Sequence, residues 1–120
     1  MDGTTLIIGV GGKTGARVAK RLTGKLRGVS RSTPLPFDWE DRRTWAPALQ
    51  GATRAYVTFQ PDLAVDGADA DIAELARLGA EAGLNHMVLL SGRGEPGAQR
   101  AEQALMASGL GWNVVRASWF

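Results

Sequence analysis

The sequence contains no cysteine, which removes disulfides, thiolate metal sites and thiol nucleophiles together. Its one histidine, His86, has no second imidazole with which to share a metal ion. No apolar stretch approaches the length of a membrane span. Met1-Asp2-Gly3-Thr4-Thr5 shows no basic region ahead of a long apolar run, so the expectation is a cytoplasmic protein without a signal peptide and without a membrane partner. Aromatic residues are few while glycine and alanine abound, which suits small side chains at helix–sheet contacts. Tyrosine occurs once, as Tyr56, and lysine not at all after Lys25. The 120 residues have room for one domain, 1–120, and none for a separate substrate lobe.

Acids are also missing from the stretch that carries Lys13, Arg17, Lys20, Arg21, Lys25, Arg27 and Arg31. Asp38, Glu40 and Asp41 follow, and a second acidic cluster spans Asp62 to Glu74, so the net charge of +2 conceals a marked asymmetry. A dense basic run can serve a nucleic acid. Here no aromatic interleaving or recognition motif accompanies it, and the preferred reading is a solvated helix face beside an anionic cofactor.

What is present alternates between two periods. Leu6-Ile7-Ile8 reads as a strand buried on both faces and stops at Gly9. Ala16, Val18, Ala19 and Leu22 then follow helical spacing up to Gly24, and Leu26 to Ser30 reads as a second, weaker strand because of Arg27 and Gly28. Beyond Pro34 and Pro36, Phe37-Asp38-Trp39 is predicted as a brief edge strand and Thr44 to Leu49 as a short helix. Ala55 to Phe59 is a strand by composition, Asp69 to Ala82 a long helix, and Met87 to Leu90 a strand closed by Ser91-Gly92. A helix from Pro96 to about Ser108-Gly109 and a strand from Trp112 to Val115 complete the pattern. Alternating strands and helices predict an α/β, doubly wound parallel sheet.

The informative segment is Gly9-Val10-Gly11-Gly12-Lys13-Thr14-Gly15. Glycines at 9, 12 and 15 permit a tight turn and close backbone approach, Gly11 adds freedom, and the helix that follows offers unpaired N–H groups to an anion. An apolar strand before it and a helical period after it are the context that a dinucleotide-binding turn requires; a bare structural βα turn is the alternative. The segment lacks the Gly-Lys-Ser/Thr ending of an ATP-type phosphate loop. After the second strand stands Ser30-Arg31-Ser32, where an NAD-binding turn carries an acid. A guanidinium and two hydroxyls suit a 2′-phosphate, which favours NADP over NAD; the alternative is that Arg31 is an ordinary surface arginine.

These motifs, with Phe37-Asp38-Trp39, Thr44-Trp45, Pro61-Asp62-Leu63, Leu89-Leu90-Ser91, Ala107-Ser108-Gly109 and Ser118-Trp119-Phe120, resemble the NmrA-like group of atypical short-chain dehydrogenases, with its azoreductase-like and ergot-alkaloid-reductase-like branches. The resemblance runs over essentially the whole chain. It implies a Rossmann-type parallel sheet of order 3-2-1-4-5-6 and binding of NAD(P). By position it implies pyrophosphate contacts at Gly9, Gly12 and Gly15, Lys13 and Thr14 at the helix start, a 2′-phosphate contact at Arg31, and Asp38 and Trp39 beside the adenine. Gln60 and Pro61 resemble the segment passing the nicotinamide-side ribose, and Ser91 matches a strand end where related dehydrogenases place a catalytic serine.

The sequence departs from the group at three places. The turn Thr23-Gly24-Lys25-Leu26 is short. The tyrosine–lysine pair of ordinary short-chain dehydrogenases is missing. The chain stops at Trp119-Phe120, where relatives continue into a substrate lobe; the expectation is a truncated, marginally stable unit that self-associates through an open sheet edge. Three functions remain: the nucleotide-binding portion of an NADPH-dependent oxidoreductase acting on a small molecule, a catalytically silent NAD(P) sensor, or an inactive remnant. Among single residues, Ser91 is read first as a strand-end hydroxyl satisfying nearby backbone, with a proton donor or substrate anchor as the alternative, His86 as without function, Trp39 and Trp45 as packing, Glu102 as solvated, and Met87 and Met106 as core fillers.

Overall fold

Five strands form one parallel sheet: β1 (Thr4–Ile8), β2 (Leu26–Val29), β3 (Ala52–Val57), β4 (His86–Gly92) and β5 (Gly111–Ala117). Between them lie a 3-10 turn at Arg42–Thr44 and the helices α1 (Trp45–Leu49), α2 (Ala68–Glu81) and α3 (Pro96–Met106). The computed structural model describes residues 3–9, 25–58, 67–92 and 96–117. The helix predicted around Ala16–Leu22 lies outside them.

The strand order is β2-β1-β3-β4-β5. The chain steps outward from β1 to β2, then crosses back to the other side of β1 and continues to β5. That reversal makes the gap beyond the carboxyl ends of β1 and β3 the topological switch point. The order is the inner and right-hand part of the expected 3-2-1-4-5-6 sheet. In place of the outermost strand at Phe37–Trp39 there is a single antiparallel bridge between Asp38 and Asp41.

One face of the sheet carries the main core. Leu6, Ile8, Val29, Ala55, Val57, Met87 and Leu89 pack there against Trp45, Leu49, Ile72, Leu75, Ala76, Ala98, Ala101 and Leu105 of the three helices. Ile7 is just as buried but lies outside that cluster, as strand alternation requires of a residue on the opposite face. Gly79 is where α2 meets the following loop; a β-carbon there would lie 2.8 Å from Leu84 Cδ2. Met87 is a core residue as expected, whereas Met106, near the end of α3, is 36% exposed.

Arg27 explains how a short, glycine-containing strand survives at the sheet edge. Its guanidinium donates to the carbonyls of Ala48 and Gln50, at 2.7 and 2.6 Å. Those carbonyls end α1 and have no helical partner, so one side chain ties β2 to the helix below it. We expect Arg27→Met, which keeps the aliphatic stem and removes both bonds, to cost about 1–2 kcal/mol, read as a lower urea midpoint at unchanged slope.

Candidate functional site

At the carboxyl end of β1 the chain turns on Gly9, whose φ is +89°. Its N–H donates to Val29 O at 2.9 Å, while Ile8 O accepts from the Thr58 N–H at 3.3 Å. The turn is therefore held from both neighbouring strands. A β-carbon on Gly9 would stand 3.2 Å from Thr58 Cβ, so both the backbone conformation and the space call for glycine.

From this turn a cleft of about 370 Å³ opens at the switch point, lined by Gly9, Thr58, Ser30, Arg31, Asp38 and Trp39 with Ile8, Phe37 and Glu40. Four of these nine, Ile8, Phe37, Glu40 and Thr58, are not among the residues the sequence marks for the site, and Thr58 is recognisable only by topology, as the residue following a strand at the reversal point.

The wall after β2 is a compact polar turn. Ser30 N donates to Thr33 Oγ1 at 2.9 Å, Ser32 N to Ser30 Oγ at 3.3 Å, and the Ser30 and Ser32 hydroxyls stand 3.3 Å apart. Phe37 N closes back onto Ser30 O at 2.9 Å. Within this turn Arg31 is exposed, and among the described residues its guanidinium makes no hydrogen bond or ion pair. A fork of donors beside two hydroxyls is suited to a phosphate.

The outer wall is organised around Asp38. Its carboxylate accepts from Glu40 N at 2.9 Å, its N–H donates to Thr44 Oγ1 at 3.0 Å, and its carbonyl accepts from Trp45 Nε1 at 2.9 Å. Trp45 is fully buried, stacked on Phe37 at 5.8 Å and covered by Arg42 at 5.3 Å. Trp39 meets Phe37 and Trp45 nearly at right angles, at 5.0 and 5.4 Å, and is only partly buried. Trp45 is thus a packing residue. Trp39 packs as well, yet it also presents surface to the cleft. Asp41 begins the 3-10 turn, accepting from Arg43 N at 3.1 Å; the hydrogen-bonded Arg43 guanidinium holds its carboxyl below the usual carboxylate range.

Of the residues singled out from the sequence, Gly9, Ser30, Arg31, Asp38 and Trp39 come together in this cleft. Ser32 is joined to it through Ser30. Gly11, Gly12, Lys13, Thr14, Gly15, Gln60 and Pro61 lie outside the described residues. Ser91 stands at the carboxyl end of β4, apart from the residues lining the cleft, and is turned to the core side with Met87 and Leu89. Its hydroxyl donates to Glu102 Oε2 of α3 at 2.6 Å. Glu102 is 2% exposed and Ser91 3%, which corrects the expectation of a solvated glutamate: α3 turns Glu102 inward with Ala98, Ala101 and Leu105. Helical spacing from Ala98 contained that signal.

No family model and no curated protein matches the chain. Solved structures do. A nucleoside-diphosphate-sugar epimerase from Staphylococcus aureus superposes with a TM-score of 0.80 at 13% identity, over 94% of this chain and 50% of that one. The triphenylmethane reductase of Citrobacter sp., complexed with NADP(H), gives 0.80 at 12% identity, over 94% and 48%. An NADPH-dependent quinone oxidoreductase from Escherichia coli, complexed with NADPH, gives 0.77 at 17% identity, over 97% and 49%. The fold is of the Rossmann type. The chain spans about half the length of these three proteins. Among the described residues there is no group of three or more potential metal ligands, and no helix is long and apolar enough to cross a membrane.

Two experiments test the site's construction. Gly9→Ala should destabilise the protein by about 1–2 kcal/mol, since an alanine must be held in the left-handed region; equal urea midpoints would refute the strain. Ser91→Ala and Glu102→Ala should each destabilise, and the double mutant by less than their sum, with a coupling of about 1 kcal/mol. Full additivity would show that the pair does not act as one unit.

Proposed function

We propose that the switch-point cleft binds NADP(H) and that this chain is the nucleotide-binding portion of an NADPH-dependent reductase. The observation that carries the reading is the position of Arg31, unpaired among the described residues, on the Ser30–Ser32 turn beside the left-handed Gly9 turn. Ligands of open α/β sheets lie in this crevice, with the pyrophosphate at the first turn and the adenosine towards the second strand. Two of the structurally similar proteins are complexed with NADP(H) or NADPH, which supports a nicotinamide dinucleotide. The choice of the phosphorylated form rests on Arg31.

In this reading Gly9, Gly11, Gly12 and Gly15, with Lys13 and Thr14, receive the pyrophosphate. Ser30, Arg31 and Ser32 receive the 2′-phosphate, Asp38 and Trp39 flank the adenine, and Gln60 and Pro61 pass the second ribose. The bound cofactor supplies a hydride. Ser91, at the end of β4, is the proposed proton-handling group at the nicotinamide side, with Glu102 positioning its hydroxyl. The protein is proposed to work in the cytoplasm and to self-associate through the edge of β5, where Trp112 and Val115 are 41% and 49% exposed.

A second reading, a nucleotide sensor without turnover, is favoured by Tyr56. The one tyrosine lies on β3 against a separate cavity near the amino ends of the strands, so it does not stand in for the acid of an ordinary short-chain dehydrogenase. NADPH oxidation across a panel of acceptors separates the two: turnover supports the reductase, and tight binding without turnover supports the sensor.

Arg31→Ala should weaken NADPH binding by roughly tenfold or more while leaving NADH nearly unchanged, because a charge-assisted contact contributes about 1.5–3 kcal/mol. Calorimetric titration of both cofactors measures it. An equal loss for both would remove the case for NADP.

A further inference from the structure

A second cavity, of about 410 Å³, lies near the amino ends of β3, β4 and β5 and is lined by Arg54, Tyr56, Asn85, His86, Val88 and Asn113. It stands apart from the dinucleotide cleft, with which it shares no residue. Parallel pairing sets Arg54 directly beside His86, Tyr56 beside Val88, and Val88 beside Asn113. By strand alternation these side chains share the sheet face opposite the main core.

Two features show how this group is held in place. The first is an irregularity in β3: Thr4 pairs with Ala52 but Thr5 pairs with Arg54, so Thr53 is an extra residue. Strict alternation back from Ala55 would turn Ala52 outwards. The bulge keeps both alanines in the core and leaves Arg54 on the open face. The second is the setting of His86. A β-carbon on Gly111 would fall 2.7 Å from its Nδ1, so the imidazole occupies the space left by the bare glycine. Its Nε2 is 2.7 Å from Asn113 Oδ1; with that oxygen accepting, Nε2 carries the proton.

The remaining polar groups are donors in want of acceptors. Among the described residues the Arg54 guanidinium, the Tyr56 hydroxyl and the side-chain amide of Asn85 have no hydrogen-bond or ionic partner. Among the described residues no carboxylate lines the cavity. A permanent cation and several donors are thus gathered beside the ring of Tyr56 and the side chain of Val88, both partly buried. We propose that this cavity is a binding site for a small organic anion, a carboxylate carried on a flat apolar body. The guanidinium fork takes the carboxylate in a bidentate pair, and Tyr56 and Val88 take the body.

The full chain is titrated with benzoate, inorganic phosphate and benzylamine, followed by amide chemical shifts and calorimetry. Benzoate should bind saturably, with shifts at residues 53–56, 85–88 and 113, and its binding should persist at saturating NADPH. Arg54→Met should weaken it by about tenfold, the loss of a charge-assisted pair, with an unchanged melting curve because Arg54 is exposed. Equal affinity of the variant, or displacement of benzoate by NADPH, overturns the site. Phosphate binding as tightly as benzoate overturns the carboxylate-on-ring assignment, and benzylamine binding as tightly overturns the anion. Should Arg54→Met fail to fold, the shift map of the unaltered chain decides, since shifts confined to other residues refute the proposal. A chain that binds benzoate but not NADPH would uphold this site and defeat the dinucleotide reading separately.

Discussion

The central strand β1 hydrogen-bonds to β2 on one side and β3 on the other, and Leu6, Ile7 and Ile8 are all removed from water. A strand so enclosed has one exit, past its carboxyl end, and the chain cannot continue straight without leaving the neighbours that pair with it. Gly9 resolves this by entering the left-handed region while still bonding to Val29 O. The cleft follows from that turn. Because β2 and β3 lie on opposite sides of β1, the space beyond the end of β1 is bounded by Ser30 and Arg31 on one side and Thr58 on the other.

The outer wall shows how a cleft can be built without the outermost strand. Asp38 offers its backbone carbonyl to Asp41 N at 3.0 Å and to Trp45 Nε1 at 2.9 Å. Thr44 receives the Asp38 N–H and gives its own hydroxyl proton to Asp41 O at 2.7 Å. The loop's polar groups are thus satisfied internally, as a segment without ladder partners requires. The stacked Phe37 and Trp45 belong to the buried core together with Val29 and Leu49. Trp39 is fixed by the same packing, so a flat surface faces the cleft without the entropy of ordering it on binding.

Much of this was legible in the sequence because burial on both faces writes itself as unbroken apolar runs. Leu6-Ile7-Ile8 and Met87–Leu90 coincide with β1 and β4, and the helical period of α2 marks Ile72, Leu75, Ala76, Gly79 and Ala82 as one face, of which the first four are buried while Ala82, past the helix end, is exposed. Three features were not legible, each for a tertiary reason. The bulge at Thr53 interrupts the alternation, so β3 begins at Ala52 and not at Ala55. Arg27 looked like a defect in β2, but its partners are carbonyls more than twenty residues away. Glu102 was read as solvated from its charge, whereas its helical position places it against Ser91. Of the candidate site, Gly9, Ser30 and Arg31 are legible because glycine, hydroxyl and guanidinium signals are local, Asp38 and Trp39 only through the family resemblance, and Thr58 and Glu40 through topology alone.

The Ser91–Glu102 bond bears on what chemistry the proposed reductase could carry out. A serine hydroxyl has one proton, and this one is donated at 2.6 Å to an oxygen that is buried from water. For Ser91 to donate to a substrate instead, its 2.6 Å bond to Glu102 must be given up, which costs about 1–3 kcal/mol. An ordinary tyrosine acid carries no such debt, and Tyr56 lies against the other cavity. In the proposed reductase Ser91 would thus hand on a proton only at that cost, which suits acceptors whose reduction is driven mainly by hydride addition itself. The arrangement does not suit a carbonyl that needs strong acid assistance in the transition state.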